Sequence, residues 1–145
     1  MIDKATVERF SNIRPARRGL EKLALEIEAY DHSNADPECR LIWLIDAWSG
    51  GAGSQELAEL IEGSLGPLYL ELEKALAEIG AHRSVEYLLR GRAICGGAIP
   101  EDERERARLT ERNEAALFAL FKEYKLRISE EAPECMFSYL IRKPG

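Results

Sequence analysis

Apolar residues recur at three- and four-residue spacings along nearly the whole chain, and no stretch alternates apolar and polar residues as a strand would. Asp3 can cap a first short helix in which Val7, Phe10 and Ile13 recur at three-residue steps. Pro15 suits the first position of a second helix, whose stripe is Leu20, Leu23, Ala24, Ile27 and Tyr30. Residues 31–36 (Asp-His-Ser-Asn-Ala-Asp) are a polar turn, and Asp36 followed by Pro37 reads as the cap and first residue of a third helix. Residues 41–45 (Leu-Ile-Trp-Leu-Ile) are apolar on every face, with Trp48 one turn beyond Leu44. A helix apolar all round belongs at the centre of the fold.

Glycines punctuate the remainder of the chain. Residues 49–54 (Ser-Gly-Gly-Ala-Gly-Ser) are expected to stop the third helix, with Ser54 capping the next, because glycine accepts the left-handed conformations in which helices end. Leu57, Leu60 and Ile61 then mark a short fourth helix closed by Gly63. Gly66-Pro67 opens a fifth carrying Leu68, Leu72, Leu76 and Ile79, with Gly80 at its end. A sixth carries Val85, Leu88, Leu89 and Ala93 and stops at Gly96-Gly97. Pro100 begins a charged helix in which pairs such as Asp102 with Arg106 support an exposed segment, and whose apolar face (Leu117, Phe121 and Tyr124, with Phe118 and Ile128 nearby) appears later. A terminal helix after Pro133 turns Met136, Phe137, Leu140 and Ile141 inward. The expectation is an all-α, compact single-domain bundle of about seven to eight helices over residues 1–145.

Charge changes this picture more than composition does. Residues 26–81 hold twelve acids against two bases, Arg40 and Lys74, and so sum to −10, while the flanks sum to +3 and +1. The net −6 of the whole chain therefore hides an anionic middle, which repels nucleic acid and attracts basic protein surfaces. The alternative is a set of solvated helix faces whose cations lie elsewhere in sequence. The arginines that cluster around Pro15, at positions 14, 17 and 18, are too few to neutralise many phosphates. They are expected to pair with the chain's own acids or with a second subunit in a homodimer.

Candidate chemistry is sparse. Cys39, Cys95 and Cys135 are odd in number and far apart, without the ligand spacing of a zinc site, and read as packing residues. No lysine follows the glycines of residues 50–53 as a phosphate-binding loop requires, since Gln55 and Glu56 stand there. His32 and His82 belong to no metal motif or nucleophile elbow. Paired carboxylates such as Glu56 with Glu59 lack a histidine or cation that would tune them as acid and base. No metal, cofactor or enzymatic activity is expected. The N-terminus has no signal-peptide pattern and no apolar run approaches a membrane span, so a cytoplasmic location without membrane attachment is expected.

A resemblance adds to this. The tryptophan-bearing apolar helix running into Gly50-Gly51, the segment 77–81 (Ala-Glu-Ile-Gly-Ala), Leu88-Leu89-Arg90, residues 96–100 (Gly-Gly-Ala-Ile-Pro), the charged run at 102–105 and the closing 139–142 (Tyr-Leu-Ile-Arg) are together similar to a bacterial domain of unknown function. That family includes an acidic DNA-mimic protein, and the likeness covers about residues 39–143. It departs at Ser49-Gly50-Gly51-Ala52, where the family usually has Asn-Gly-Gly-Phe before a polar and aromatic helix, and in several extra residues before Ile79. The resemblance implies an all-helical fold and, for the characterised member, an anionic surface that occupies the DNA site of a DNA-binding protein.

Together these features point to a non-enzymatic acidic module that binds a basic protein surface, such as that of a DNA-binding protein, through Asp31, Asp36, Glu56, Glu59 and Glu62. The alternative is an immunity protein that neutralises a cognate basic toxin. An enzyme without a recognisable motif stands third.

Overall fold

The structure, a computed structural model, describes residues 2–28, 36–52 and 55–143. Among these the chain is all-α, with nine α-helices and one 3-10 turn. They are α1 (Lys4–Ser11), α2 (Ala16–Glu28), α3 (Pro37–Ala52), α4 (Leu57–Glu62), α5 (Tyr69–Glu78), α6 (His82–Ile94), α7 (Glu103–Arg112), α8 (Glu114–Ile128) and α9 (Glu131–Arg142), with the 3-10 turn Gly66–Leu68 leading into α5. No helix is long and apolar enough to cross a membrane among the described residues.

The central position expected for α3 is observed. It packs against α2, α5 and α9, and Ile42, Leu44, Ile45 and Trp48 are buried on successive turns. The other half of the molecule pairs α6 with α8 and sets α4 against α7 and α8. Tyr87 joins the halves, its ring 6.0 Å from that of Trp48 and 5.4 Å from that of Tyr124.

Side-chain caps start several helices. Asp3 accepts the Thr6 N–H at 2.8 Å, and Asp36 accepts those of Glu38 and Cys39 at 2.8 and 3.1 Å. The start of α6 has no cap of its own, so Glu131 on α9 reaches across to accept the N–H groups of Arg83 and Ser84 at 3.0 and 2.7 Å. Glycine ends α5 and α6 as expected. Gly80 and Gly97 have positive φ, and each is followed or accompanied by a bond back to an orphan carbonyl, Ala81 N–H to Leu76 and Gly97 N–H to Arg92.

Four expectations are corrected. Residues 49–51 do not stop α3, which runs to Ala52. Glycine costs a helix only about 1 kcal/mol relative to alanine, and a helix anchored by so much buried surface absorbs that. Ser49 donates its hydroxyl back to the Ile45 carbonyl at 2.7 Å, and the Gln55 N–H bonds the Gly51 carbonyl at 2.7 Å. The N-cap of α4 is Glu56, while Ser54 lies outside the described residues. The charged run and the later apolar face are two helices, α7 and α8, because Asn113 turns its amide back onto the Leu109 carbonyl at 2.8 Å and leaves helical geometry. On α6 the buried stripe is Ser84, Tyr87, Leu88 and Gly91, which leaves Leu89 and Ala93 exposed, and on α9 Ile141 is exposed.

Candidate functional site

The fold spends much of the linear acidic excess internally. Glu26 pairs with Arg9 at 2.8 Å, Glu38 with Lys143 at 3.3 Å, Glu73 with Arg92 at 2.8 Å and Glu71 with Arg40 at 2.9 Å. Three of those four cations come from outside residues 26–81. The bidentate Arg40 fork holds the Glu71 carboxyl below its ordinary range. Glu78 accepts the Tyr139 hydroxyl at 2.6 Å.

Glu56, Glu59 and Glu62 escape this pairing. Glu56 is the N-cap of α4, and spacing of three residues keeps all three along one edge of that helix. No Lys or Arg nitrogen lies within ion-pairing distance of them among the described residues. Together they line a groove of about 410 Å³ whose opposite wall supplies Glu111 from the last turn of α7 and Glu114 from the first turn of α8. Ala58, Ala107, Thr110 and Phe118 complete its lining. The Thr110 hydroxyl donates to Glu62 and so ties the walls together. Five carboxylates and no base line this groove.

One buried cation builds its shape. Arg106 does not pair with Asp102 on the surface. Asp102 is the α7 cap, accepting the N–H groups of Arg104 and Glu105 at 2.8 and 3.2 Å. The Arg106 side chain is buried and donates to the carbonyl of Ile61 at 2.8 Å and to those of Pro100 and Glu101. A guanidinium on the Ile61 carbonyl, in the last turn of α4, suits the negative end of that helix and locks α4 to α7. Glu111 on α7 was absent from the expected site because the α7 run reads locally as self-neutralising.

The remaining expected site residues lie apart. Asp36 does not line the groove and is engaged as the α3 cap. Asp31 lies outside the described residues, as does His32.

His82, Glu134, Cys135 and Arg142 line a second cavity of about 630 Å³ between the start of α6 and α9. Burial, followed by the charges of Glu131 and Glu134, pushes the Cys135 thiol up. A nucleophilic cysteine needs the opposite shift, so this setting suppresses the thiolate. Among the described residues no group of three or more His, Cys, Asp or Glu is placed to hold a metal ion.

Asp46 on α3 is half-buried, and burial followed by the charges of Glu21 and Glu28 pushes its carboxyl up to about 6. A raised carboxyl favours the protonated folded state. Its contribution is therefore full below the unfolded value near 4 and is lost as pH rises through about 6. Asp46→Asn should raise stability at pH 7.5 by roughly 1 kcal/mol, the full shift being reduced by water screening of a half-buried group. Thermal melts of both proteins from pH 4.5 to 7.5 check this, and an unchanged pH slope in the variant would place the effect elsewhere.

Compared with protein-family models, curated proteins and solved structures, the chain matches none.

Proposed function

We propose that the protein is a non-enzymatic binding module whose α4–α7–α8 groove takes a basic protein surface. One observation carries this reading: five carboxylates from three helices converge on a groove that contains no base. Ion pairs within the fold engage Glu26, Glu38, Glu71 and Glu73 of the acidic middle and leave the groove's carboxylates to solvent or a partner. The apolar lining of Ala58, Ala107 and Phe118 suits lysine or arginine, whose aliphatic stems cover apolar surface while the charged ends reach the carboxylates. The groove repels nucleic acid. A DNA-binding protein is the first candidate for that partner, and a basic toxin is the second reading. Competition by DNA supports the first, and a single tightly bound cognate effector supports the second.

Rim charges act chiefly on association. Reversing Glu56, Glu59 and Glu62 to lysine should slow association with the partner by at least about tenfold at low salt, leaving the melting temperature within a few degrees. Reversal of Glu101, Glu103 and Glu105, which lie among Arg104, Arg108 and Arg112, is the matched control. Stopped-flow or surface-based kinetics read the difference. Equal effects from both triple variants, or none from either, would remove the groove from the binding surface.

A further inference from the structure

Helix α8 carries an exposed face with an unusual order of residues. Positions 114, 118, 122 and 125 fall within an arc of about 80° at 3.6 residues per turn, and all four are exposed. Read from the N-terminus they are an acid, a phenylalanine and two lysines: Glu114, Phe118, Lys122 and Lys125. Phe118 is 43% exposed, and Leu126, on the same side, is 88% exposed. An exposed leucine alone is ordinary, but an aromatic and a leucine two turns apart on one bare helix face are a surface that a partner can cover.

The order is self-complementary. Lys122 and Glu114 each lie four residues from Phe118, about 6 Å along the axis on opposite sides, and Lys125 lies seven residues from it, about 10 Å away, while Glu111, on α7, lines the same groove as Glu114. Two α8 helices laid antiparallel with Phe118 facing its own copy therefore oppose Glu114 to Lys122, twice over, and carry Lys125 past Glu114 towards the groove that Glu111 also lines. Parallel pairing would set each of these charges against its like. An antiparallel pairing centred on Lys122 would set lysine against lysine.

We propose that this face forms a twofold homodimer, in which Lys122 and Lys125 of each copy enter the acidic rim of the other and the two Phe118 rings meet at the axis. Two reciprocal contacts of this kind close on themselves, so association stops at the dimer. The second copy then occupies the same groove as a basic partner, and dimer and complex exclude one another. The inference does not rest on the partner-binding reading, since it requires only the purified chain.

Sedimentation velocity between about 5 and 200 µM is the test, with a dissociation constant expected on the order of 10 µM for a small, charge-rimmed interface. The double variants Glu111→Lys/Glu114→Lys and Lys122→Glu/Lys125→Glu should each be monomeric, because each opposes like charges. An equimolar mixture of the two should re-form a dimer, because both contacts are then again of opposite sign. Independently of any variant, raising salt from about 50 to 500 mM should weaken the wild-type dimer about tenfold. A wild-type chain that stays monomeric at the highest concentration overturns the proposal. So does a dimer that the reversals leave intact, a mixture that stays monomeric, or a wild-type dimer that tightens in salt. Failure here would leave the groove reading standing, and failure of partner binding would leave the dimer standing.

Discussion

Leu44→Asp should leave the chain unfolded at room temperature. Leu44 sits in the middle of α3, 2% exposed, where α2, α5 and α9 converge on that helix. A carboxylate there finds no cation among its apolar neighbours Leu41 and Trp48, which lie three and four residues from it on the same helix face. Burying it unpaired costs at least about 5 kcal/mol even after its pKa rises, and the lost leucine packing adds about 3 kcal/mol. A single domain holds about 5–15 kcal/mol in total, so the substitution consumes most or all of it. Far-ultraviolet circular dichroism and a thermal melt read the outcome. A cooperative transition at the wild-type temperature would show that α3 is peripheral.

The second large effect is expected at Arg106. Its guanidinium satisfies carbonyls of Ile61, Pro100 and Glu101, and Gly66 makes room for it: a Cβ at Gly66 would lie 2.6 Å from its Nε. Arg106→Leu fills the space but provides no donor, leaving those carbonyls with poorer partners at about 1 kcal/mol or more each. A total of about 3 kcal/mol, or a melting temperature lower by about 10 °C, is expected from chemical and thermal unfolding. Because Arg106 joins α4 to α7, the same variant should spread the two walls of the groove and weaken binding there. A loss below about 1 kcal/mol would mean that water replaces the guanidinium at all three carbonyls.

These two residues also mark how far the sequence is legible. Leu44 was readable because a helix apolar on every face has only one place to go. The caps at Asp3 and Asp36 and the stops at Gly80 and Gly97 were readable because each answers a local backbone need. Arg106 was not readable. An aspartate four residues before an arginine looks the same whether the arginine lies on the surface or turns inward to three carbonyls. Gly50 and Gly51 misled for a related reason, since their local cost to a helix is small beside the burial that α3 gains.

The groove was half legible. Spacing alone placed Glu56, Glu59 and Glu62 on one helix edge. Which acids would remain unpaired depended on cations brought from afar, Arg9, Arg92 and Lys143, and so on tertiary structure. Glu111 and Glu114 were hidden because the break at Asn113 that brings them to the groove has no strong sequence signal. Asp36, in contrast, is spent on capping α3.

The most direct test of the central claim is a two-dimensional amide NMR titration with a short lysine- and arginine-rich peptide at low salt. The account predicts that the largest shift changes fall on α4, the last turn of α7 and the first turns of α8, around Glu56, Glu59, Glu62, Glu111 and Glu114, and that they fade as salt is raised. Changes centred instead on the paired acids Glu26, Glu38, Glu71 and Glu73, or spread evenly over every acidic helix face, would contradict it.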